Sequence, residues 1–454
     1  MRVLFLAFEF SPMASGGVHR AIKLAKYLPR LGVSLDIVTI NIDEVHHWSG
    51  SRLDETLLNN MPDSVTIHRI PSGFPDGYWS LCKNPLGNWI LKYLFLGDPV
   101  SFFWKKPLFK KIDELFKEKQ FDVLLSTAPP FGVSVLAREL AERYKLPWVS
   151  DWRDPWTLWG NAPFTSYLHY RHVRKNEEAC LKKADISVCT SPVTRDDWIK
   201  EFKGVSKETL QVICNSFDPE ELNVKAILDQ NSDKVRIVYV GSFYYHPKLR
   251  SSVLTSRWKK IPHQWLHYVK RREDWLYRSP YFFLMGLKLF IDKNLETSKK
   301  IEVLFAGPIP EWLPQMLKET GTDQQVQLLG PVPHAKCLDL QAGADAVLLT
   351  SAKVEGGLDY SIAGKLYEYF GLRKKILAVV TKGAMRDLVE KSGLGIITDP
   401  DSFEETANAI GQIVRSAKSP LPLLPGQEEF LRSFNSENMA RQMANQLAKA
   451  SGSA

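Results

Sequence analysis

The chain of 454 residues is longer than one hydrophobic core usually supports, so it predicts two domains of about 200 residues each. Hydrophobic residues make up 44% of the chain and charged residues 24%, which is ordinary for a folded globular protein and excludes the disordered class. The formal net charge is +8, and the five scattered cysteines include no CxxC pair, which argues against a disulfide framework and a zinc site.

No apolar run reaches the roughly 18 to 20 residues that a membrane-spanning helix needs. The best candidate, at 281–291, is short and contains Lys288. The apolar run at 3–8 is also too short for a signal peptide. These features predict a cytoplasmic protein.

The first half of the chain alternates predicted strands and helices. A continuous apolar run at 3–8 is typical of a buried parallel strand, and apolar residues recur with helical period from Val18 to Leu28. A strand at 35–40 completes this βαβ unit. The later strands are predicted at 122–125, 147–150, 185–190 and 211–214, and the later helices at 132–144, 169–183 and 192–203.

The loop 9–17 joins the first strand to the first helix and ends in Gly16 and Gly17. Open α/β sheets bind ligands at the carboxyl ends of their strands, and a helix N-terminus suits an anion. The loop lacks the G-x-G-x-x-G spacing, so a dinucleotide fingerprint is not supported. Two interpretations remain for the glycine pair, an anion site and a plain turn.

A motif of two carboxylates and one guanidinium between tryptophans follows the predicted strand at 147–150. Charged groups near an interior are costly unless they are paired or used. We predict that Asp151, Arg153 and Asp154 are catalytic residues at a cleft. The alternative is an internal salt bridge of Arg153 that fixes a loop.

The second half begins after a polar stretch at 222–234 that indicates an interdomain linker. Its predicted strands are at 235–240, 301–306, 326–329, 345–350 and 395–398, and its helices at 280–294, 334–342, 384–392 and 402–417. A final helix at about 428–450 is expected to return to the first domain. We predict an α/β fold with domains at 1–222 and 235–425, and a C-terminal helix at 426–454.

The stretch 359–379 is predicted to form a loop, a short helix that ends at Gly371, and an apolar strand. Gly364 allows a ligand close to the backbone, and the free N–H groups of the helix together with Lys365 favour a diphosphate. Glu368 lies one turn further on the same face, where its carboxylate can accept both hydroxyls of a ribose. The alternative is a solvated helix that carries a lysine and a glutamate.

Taken together, these motifs resemble the family 4 glycosyltransferases, which are retaining enzymes of the GT-B fold, and especially the bacterial branch that builds cell-surface polysaccharides such as lipopolysaccharide. The matching stretches follow the family's order at 11–20, 150–156, 212–218, 240–245, 306–308, 329–333 and 364–369. The resemblance implies two Rossmann-like parallel-sheet domains facing a central cleft. It also implies a nucleotide diphosphate sugar as co-substrate, a glycan acceptor, and no cofactor or metal.

The resemblance also implies roles for individual residues. Gly17 would donate its backbone N–H to the distal phosphate, Glu368 would hold the ribose, and Val332 would lie beside the base. Lys365 and Arg278 would neutralise the diphosphate, which makes Lys365 catalytic as well. The full set of donor-binding residues is Gly16, Gly17, Ser242, Arg278, Val332, Glu355, Gly364, Lys365, Leu366 and Glu368.

One position departs from the family pattern. The family has a pair of glutamates eight positions apart, and the partner of Glu368 at that spacing is Tyr360. A phenol does not replace a carboxylate that orients sugar hydroxyls. Glu355 or the backbone amides of Gly356 and Gly357 are the predicted substitutes.

We therefore predict a retaining glycosyltransferase that moves a sugar from a nucleotide diphosphate sugar to a lipid-linked glycan in surface polysaccharide biosynthesis. One alternative is a GT-B sugar-nucleotide epimerase, which uses the same donor without an acceptor. Another is a catalytically silent scaffold or glycan-binding subunit, to which Tyr360 gives weight.

A basic, aromatic segment at 248–278 looks inserted relative to the family and holds nine lysines and arginines against two acidic residues, or +7 of the net charge. Its aromatic and apolar residues at helical spacing are Trp258, Ile261, Trp265 and Tyr268. This composition is typical of an interfacial membrane helix, and no RNA-binding motif accompanies it. We predict that the segment binds the anionic inner face of the cell membrane through Lys270, Arg271 and Arg272. The alternative is a lid whose aromatic side chains pack on its own domain.

Overall fold

The computed structural model describes residues 1–13, 16–48, 53–58, 61–84, 87, 90–91, 97–158, 160, 163–224, 228, 233–256, 259, 264–419 and 421–452. The chain forms two compact units. Unit 1 contains Met1–Asn215, Arg257–Lys270 and Ser436–Ala454, and unit 2 contains Ser216–Ser256 and Arg271–Asn435.

The division into units differs from the predicted domains in three places. Residues 216–222 belong to unit 2, where the backbone N–H of Phe217 donates to Phe434 O at 3.0 Å. Residues 426–435 belong to the same unit. Inside the basic segment, 257–270 belongs to unit 1, because Phe164 and Tyr268 exchange two backbone hydrogen bonds of 2.8 and 2.9 Å.

Unit 1 is built on a parallel sheet with strand order β3-β2-β1-β4-β5-β6-β7. Its strands are β1 (Arg2–Leu6), β2 (Ser34–Ile40), β3 (Val65–Ile70), β4 (Val123–Ala128), β5 (Trp148–Trp152), β6 (Ile186–Cys189) and β7 (Leu210–Val212). The order reverses between β1 and β4, and such a reversal opens a ligand-binding crevice at the carboxyl ends of the strands.

The helices of unit 1 cover this sheet. They are α1 (Val18–Tyr27), α2 (Asp76–Lys83), α3 (Val100–Phe103), α4 (Lys105–Glu118), α5 (Gly132–Tyr144), α6 (Tyr167–Lys183) and α7 (Pro192–Glu201). The C-terminal helix, Ser436–Ser451, packs on α1, β4 and β5 and buries Met439, Met443 and Leu447. The predicted return of this helix to the first domain is confirmed.

Unit 2 contains a second parallel sheet with strand order β11-β10-β8-β12-β14-β15, and β9 pairs with β13 in a small antiparallel sheet. The order of the larger sheet reverses between β8 and β12. The strands are β8 (Val235–Val240), β9 (Arg272–Asp274), β10 (Ile301–Ala306), β11 (Val326–Gly330), β12 (Ala346–Thr350), β13 (Lys353–Glu355), β14 (Ile376–Val379) and β15 (Gly395–Thr398).

The longest helices of unit 2 are α9 (Tyr281–Lys293) and α15 (Phe403–Arg415), which pack against each other. The apolar run at 281–291 lies in α9, where Phe283, Leu284 and Leu287 are fully buried in the core. The helices are α8 (Pro247–Leu254), α9 (Tyr281–Lys293), α10 (Leu295–Ser298), α11 (Trp312–Thr320), α12 (His334–Gly343), α13 (Lys365–Gly371), α14 (Ala384–Ser392), α15 (Phe403–Arg415) and α16 (Gln427–Arg432). Among the described residues, no helix combines the length and apolar character needed to cross a membrane.

Candidate active site

The carboxyl end of β8 forms the floor of a cationic site in unit 2. Lys365, the first residue of α13, places its Nζ 3.4 Å from the centroid of the Tyr239 ring. Gly241 follows β8 with φ of +95°, a conformation that favours glycine. A Cβ built on Gly241 would lie 3.6 Å from Lys365 Nζ, in van der Waals contact, so the turn after β8 lies directly beside the ammonium.

The ammonium of Lys365 lacks a carboxylate partner, since no Asp or Glu of the described chain forms an ion pair with it. Burial lowers the pKa of Lys365 to about 7, although Glu368 and Cys337 act in the opposite direction. An aromatic face attracts a cation but gives it no hydrogen-bond acceptor of full charge. The arrangement therefore suits an anionic ligand.

Arg278 brings a second cation to the same place. Thr350, the last residue of β12, donates its Oγ1 hydrogen to Arg278 O at 3.2 Å and so holds this backbone at the end of the strand. Burial raises the pKa of Tyr239, Tyr244 raises it further, and the nearby guanidinium of Arg278 opposes both effects. Lys365 and Arg278 thus both act on Tyr239, beside the reversal between β8 and β12.

Two buried carboxylates orient Arg278. Its Nη2 lies 3.9 Å from Glu273 Oε2 and 3.8 Å from Asp359 Oδ1. Asp359 also accepts hydrogen bonds from the backbone N–H groups of Ala352, at 3.1 Å, and Ser361, at 3.0 Å. Burial raises the pKa of Asp359 to about 6, against the influence of Arg278. The cluster fixes both Arg278 and the loop that leads to α13.

The residue that departs from the family pattern lies inside the protein. Tyr360 is only 3% exposed, so its side chain packs in the interior. Glu355 is exposed at the end of β13, opposite Arg272 of β9. A Cβ on Gly357 would lie 3.1 Å from the guanidinium of buried Arg271. Of the two predicted substitutes, only Glu355 offers an exposed carboxylate.

Glu368 lies on α13 and has a partner on α12. Its Oε2 accepts a hydrogen bond from Gln341 Nε2 at 2.8 Å. Cys337 lies one turn before Gln341, and its Sγ is 3.8 Å from Val332 O. Burial raises the pKa of Cys337 to about 11, Glu368 raises it as well, and Lys365 lowers it. The loop after β11 and helix α12 therefore lie next to α13, where a nucleoside was predicted.

Gln341 and Cys337 are absent from the residues that the sequence singled out. They lie four positions apart on one helix, a spacing that places two side chains on the same face. Nothing in their residue types distinguishes them from core positions, so only the contact with Glu368 identifies them.

The remaining donor-binding residues predicted in unit 2 differ in how exposed they are. Gly364 is exposed, with open space where a Cβ would stand. Ser242 is partly buried, and its carbonyl accepts the Tyr239 hydroxyl hydrogen at 2.9 Å. Leu366 is fully buried, so its side chain cannot touch a ligand. Since α13 has only seven residues, the charge of Lys365 outweighs the helix dipole.

In unit 1, Asp151 forms a buried ion pair, and its partner is Arg20. Arg20 Nη2 lies 2.8 Å from Asp151 Oδ1, and Arg20 Nε lies 3.0 Å from Oδ2. Thr127 donates a further hydrogen bond to Oδ2 at 2.9 Å. Asp151 is 0% exposed. This burial favours the structural interpretation of Asp151 over the catalytic one, with Arg20 in the place predicted for Arg153.

Arg153 turns away from Asp151 toward the first loop. Its guanidinium donates hydrogen bonds to Gly17 O and Pro129 O, and Nη2 lies 3.8 Å from Glu9 Oε2. A Cβ on Gly17 would come within 3.0 Å of the same guanidinium. The structure thus brings together Arg153 and Gly17 at the carboxyl edge of the sheet.

The neighbours of this pair differ in exposure. Gly16 is exposed, and Asp154 is partly buried. Burial lowers the pKa of Arg153, whereas Glu9 and then Asp154 raise it, so Asp154 lies near that guanidinium. Asp154 therefore remains the accessible carboxylate of the predicted catalytic motif.

The basic segment does not form the predicted amphipathic helix over its described residues. Trp258 and Ile261 lie outside the described residues, and 264–270 contains turns and a bridge. The Tyr268 ring packs 4.6 Å from Tyr170. Lys270 pairs with Glu201 at 3.1 Å, and Arg271 is buried. Lys270 and Arg271 are thus occupied within the protein.

Comparison with known proteins adds to this geometry. Residues 14–221 match the family model Glycosyltransferase Family 4. The matched range lies mostly within the first segment of unit 1, Met1–Asn215. No curated protein matches the chain.

Solved structures resemble the whole chain. HepE of Anabaena in complex with UDP has a TM-score of 0.62 at 14% identity, covering 99% of this chain and 100% of that one. Sucrose-phosphate synthase of Thermosynechococcus elongatus has a TM-score of 0.62 at 13% identity, covering 100% of both chains. UDP-GlcNAc 2-epimerase of Methanocaldococcus jannaschii has a TM-score of 0.53 at 12% identity, covering 99% and 100%. At these identities the likeness shows the fold, and the fold is GT-B.

Proposed function

We propose that the protein is a glycosyltransferase that moves a sugar from a nucleotide diphosphate sugar to a glycan acceptor. The observation that carries this proposal is the ammonium of Lys365, which rests on the Tyr239 ring without a carboxylate partner in the described chain, with Arg278 nearby. A diphosphate supplies the missing negative charge. The family match of unit 1 and the UDP bound by HepE support this choice of ligand.

The proposed chemistry follows from where charge develops. The bond between the anomeric carbon of the sugar and the diphosphate oxygen breaks, and negative charge grows on the departing nucleoside diphosphate. Lys365 and Arg278 stabilise that charge, which is the main requirement of this reaction. The acceptor hydroxyl oxygen forms the new bond to the anomeric carbon, and its proton passes to the departing diphosphate.

The proposal extends to the acceptor and the stereochemistry. By the family resemblance, the reaction retains the anomeric configuration, needs no metal, and uses a lipid-linked glycan in surface polysaccharide biosynthesis. Arg153, Gly17 and Asp154 lie at the carboxyl edge of unit 1, which suits an acceptor or the distal end of the donor.

A product assay separates this function from its rivals. The protein is incubated with UDP-glucose, UDP-GlcNAc and other sugar nucleotides, with and without lipid-linked glycans from a bacterial membrane extract. We expect free nucleoside diphosphate that increases with acceptor. An isomerised donor would instead support an epimerase, as the fold shared with UDP-GlcNAc 2-epimerase suggests. Neither product, with tight donor binding, would indicate a silent scaffold.

We further propose that unit 1 meets an anionic membrane, through residues that differ from those first predicted. Four apolar side chains at the start of α6 and in 264–266 are exposed: Tyr167 by 53%, Leu168 by 73%, Trp265 by 41% and Leu266 by 57%. The two segments are neighbours, because the rings of Tyr167 and Tyr268 are 5.1 Å apart. Exposed Arg171 and Lys175 follow along the same helix. Apolar tips flanked by cations suit a bilayer interface.

Liposome binding tests this surface. Arg171→Glu with Lys175→Glu should weaken binding to vesicles of phosphatidylglycerol and phosphatidylcholine, because each cation near anionic lipid contributes about 1 kcal/mol. Leu168→Ser with Trp265→Ser should weaken it also in high salt. The control is Lys299→Glu with Lys300→Glu, the same charge change at exposed positions of unit 2. Equal loss in the control would show that only net charge matters.

A further inference from the structure

The hydrogen bond between Gln341 and Glu368 has an unusual donor. Gln341 is 0% exposed, whereas Glu368 is partly exposed on α13. Gln341 Nε2 donates to Glu368 Oε2 at 2.8 Å. Because a carboxylate only accepts hydrogen bonds, this contact fixes which end of the amide faces Glu368.

The carbonyl oxygen of the Gln341 amide makes no hydrogen bond within the described fold. Gln341 Oε1 is buried and has no hydrogen-bond partner among the described residues. A buried polar atom without a partner costs free energy that an apolar side chain of similar size would avoid. Packing alone therefore favours leucine at this position, and the contact with Glu368 is what glutamine adds.

The hydrogen bond from Gln341 would favour binding of a ligand to Glu368. A free glutamate side chain samples several rotamers, and holding it in one conformation removes the entropy cost of ordering it when a ligand binds. Bonded at Oε2, Glu368 keeps Oε1 and the second lone pair of Oε2 for two acceptor bonds. Two neighbouring hydroxyls of a ribose match that pair of acceptors.

We propose that Gln341 is a positioning residue that sets the preference for ribose over deoxyribose by orienting the carboxylate of Glu368. The inference rests on the proposed function, since it concerns recognition of the nucleotide in that same site. It assigns the selectivity to a residue that has no contact with the ligand.

The test measures binding of the ribonucleoside diphosphates of uracil, adenine, guanine and cytosine and of their 2′-deoxy counterparts by calorimetry. The best-bound pair is then used for every variant. For the parent protein we expect a preference for ribose of about tenfold, the scale of one hydrogen bond to a charged group. Gln341→Leu should lose most of this preference by weakening the ribonucleotide more than the 2′-deoxy compound, which has only its 3′-hydroxyl for Glu368, and its melting temperature should not fall.

Two comparisons make the result specific. Glu368→Ala should abolish the preference, and adding Gln341→Leu to it should change nothing more, because both act through one carboxylate. Gln315→Leu is the matched control, since Gln315 also donates to a glutamate, Glu319 Oε1 at 2.7 Å, on the exposed face of helix α11. It should leave the preference unchanged.

The contrary outcomes are distinguishable. If Gln341→Leu weakens ribo- and deoxynucleotide equally, or leaves the preference intact while Glu368→Ala removes it, the positioning role is overturned and the donor site stands. If Glu368→Ala also leaves the preference intact, the ribose assignment and this inference fall together. If no nucleoside diphosphate binds the parent protein, the proposed function itself is contradicted.

Discussion

Asp151→Asn is expected to lower the free energy of unfolding of unit 1 by about 3–5 kcal/mol, the cost of removing one partner of a buried ion pair. Arg20 is 4% exposed and directs Nε and Nη2 at Asp151. Its Nη1 already donates to Cys214 O at 3.1 Å. Asparagine keeps the shape but removes the negative charge that Asp151 places beside this buried cation.

Urea unfolding followed by tryptophan fluorescence measures this loss, since Trp148, Trp152 and Trp198 are buried in unit 1. Asp154→Asn is the matched control: it is the same chemical change three positions on, at a partly buried carboxylate, whereas Asp151 is 0% exposed. It should change stability little. Unchanged unfolding of Asp151→Asn with loss of glycosyl transfer would restore the catalytic interpretation of Asp151.

Donor affinity is expected to fall about tenfold for each pH unit above pH 7, because binding takes up a proton. In the free protein, burial holds the pKa of Lys365 at about 7, so its ammonium loses the proton as the pH rises through that value. A bound diphosphate stabilises the charged form and raises this pKa. The complex therefore carries a proton that the free protein has released.

The sign is opposite for folding of the free protein. The unfolded chain has the ordinary lysine pKa of 10.5, so it binds more protons than the folded chain between about pH 7 and 10.5, and ligand-free stability rises with pH there. A rise in stability together with a fall in donor affinity over the same interval is the expected result for a donor-binding lysine of lowered pKa.

Calorimetry with the sugar nucleotide that is turned over best, in buffers of different ionisation enthalpy, measures both the affinity and the proton uptake. Lys365→Met should weaken donor binding about 10- to 100-fold, the range for a charge-assisted hydrogen bond, and should remove the pH dependence. Lys365→Arg should also remove the pH dependence, since guanidinium stays charged. An undiminished slope in either variant would assign the titration to another group.

Much of the fold could be predicted because buried parallel strands are apolar on both faces. The strands β8 and β10 and the helices α5 and α14 begin and end where they were predicted. The strand β3 was missed, since it is an edge strand with partly exposed side chains. The strands β9 and β13 have three residues each, too few for a periodic pattern that the sequence could show. They are strands only because they pair with each other.

The candidate site was likewise predicted from the sequence only in part. Lys365 and Glu368 were predicted because a helix start with a lysine and a glutamate one turn apart is a local pattern, whereas Arg278 was implied by the family resemblance. Their partners Tyr239, which is core by residue type, and Gln341 come from other elements. No spacing rule connects them, since the contact depends on how β8, α12 and α13 pack.

The partner of Asp151 shows the limit of reading charges along the chain. The sequence offered an internal salt bridge of Arg153 that fixes a loop as the structural alternative for this motif. The strand β5 ends at Trp152, so the chain turns and Arg153 reaches Gly17 and Pro129 instead. Arg20, far away in sequence on α1, takes the place beside Asp151.

By itself the sequence determined the alternation of strands and helices, the two parallel sheets and the residue types at the start of α13, because hydrophobic period and helix geometry are local properties. Only the tertiary structure decided that Lys365 rests on Tyr239, that Gln341 holds Glu368, and that Asp151 is neutralised by Arg20. These contacts join residues from separate elements. Their energies depend on burial and distance, which no local pattern contains.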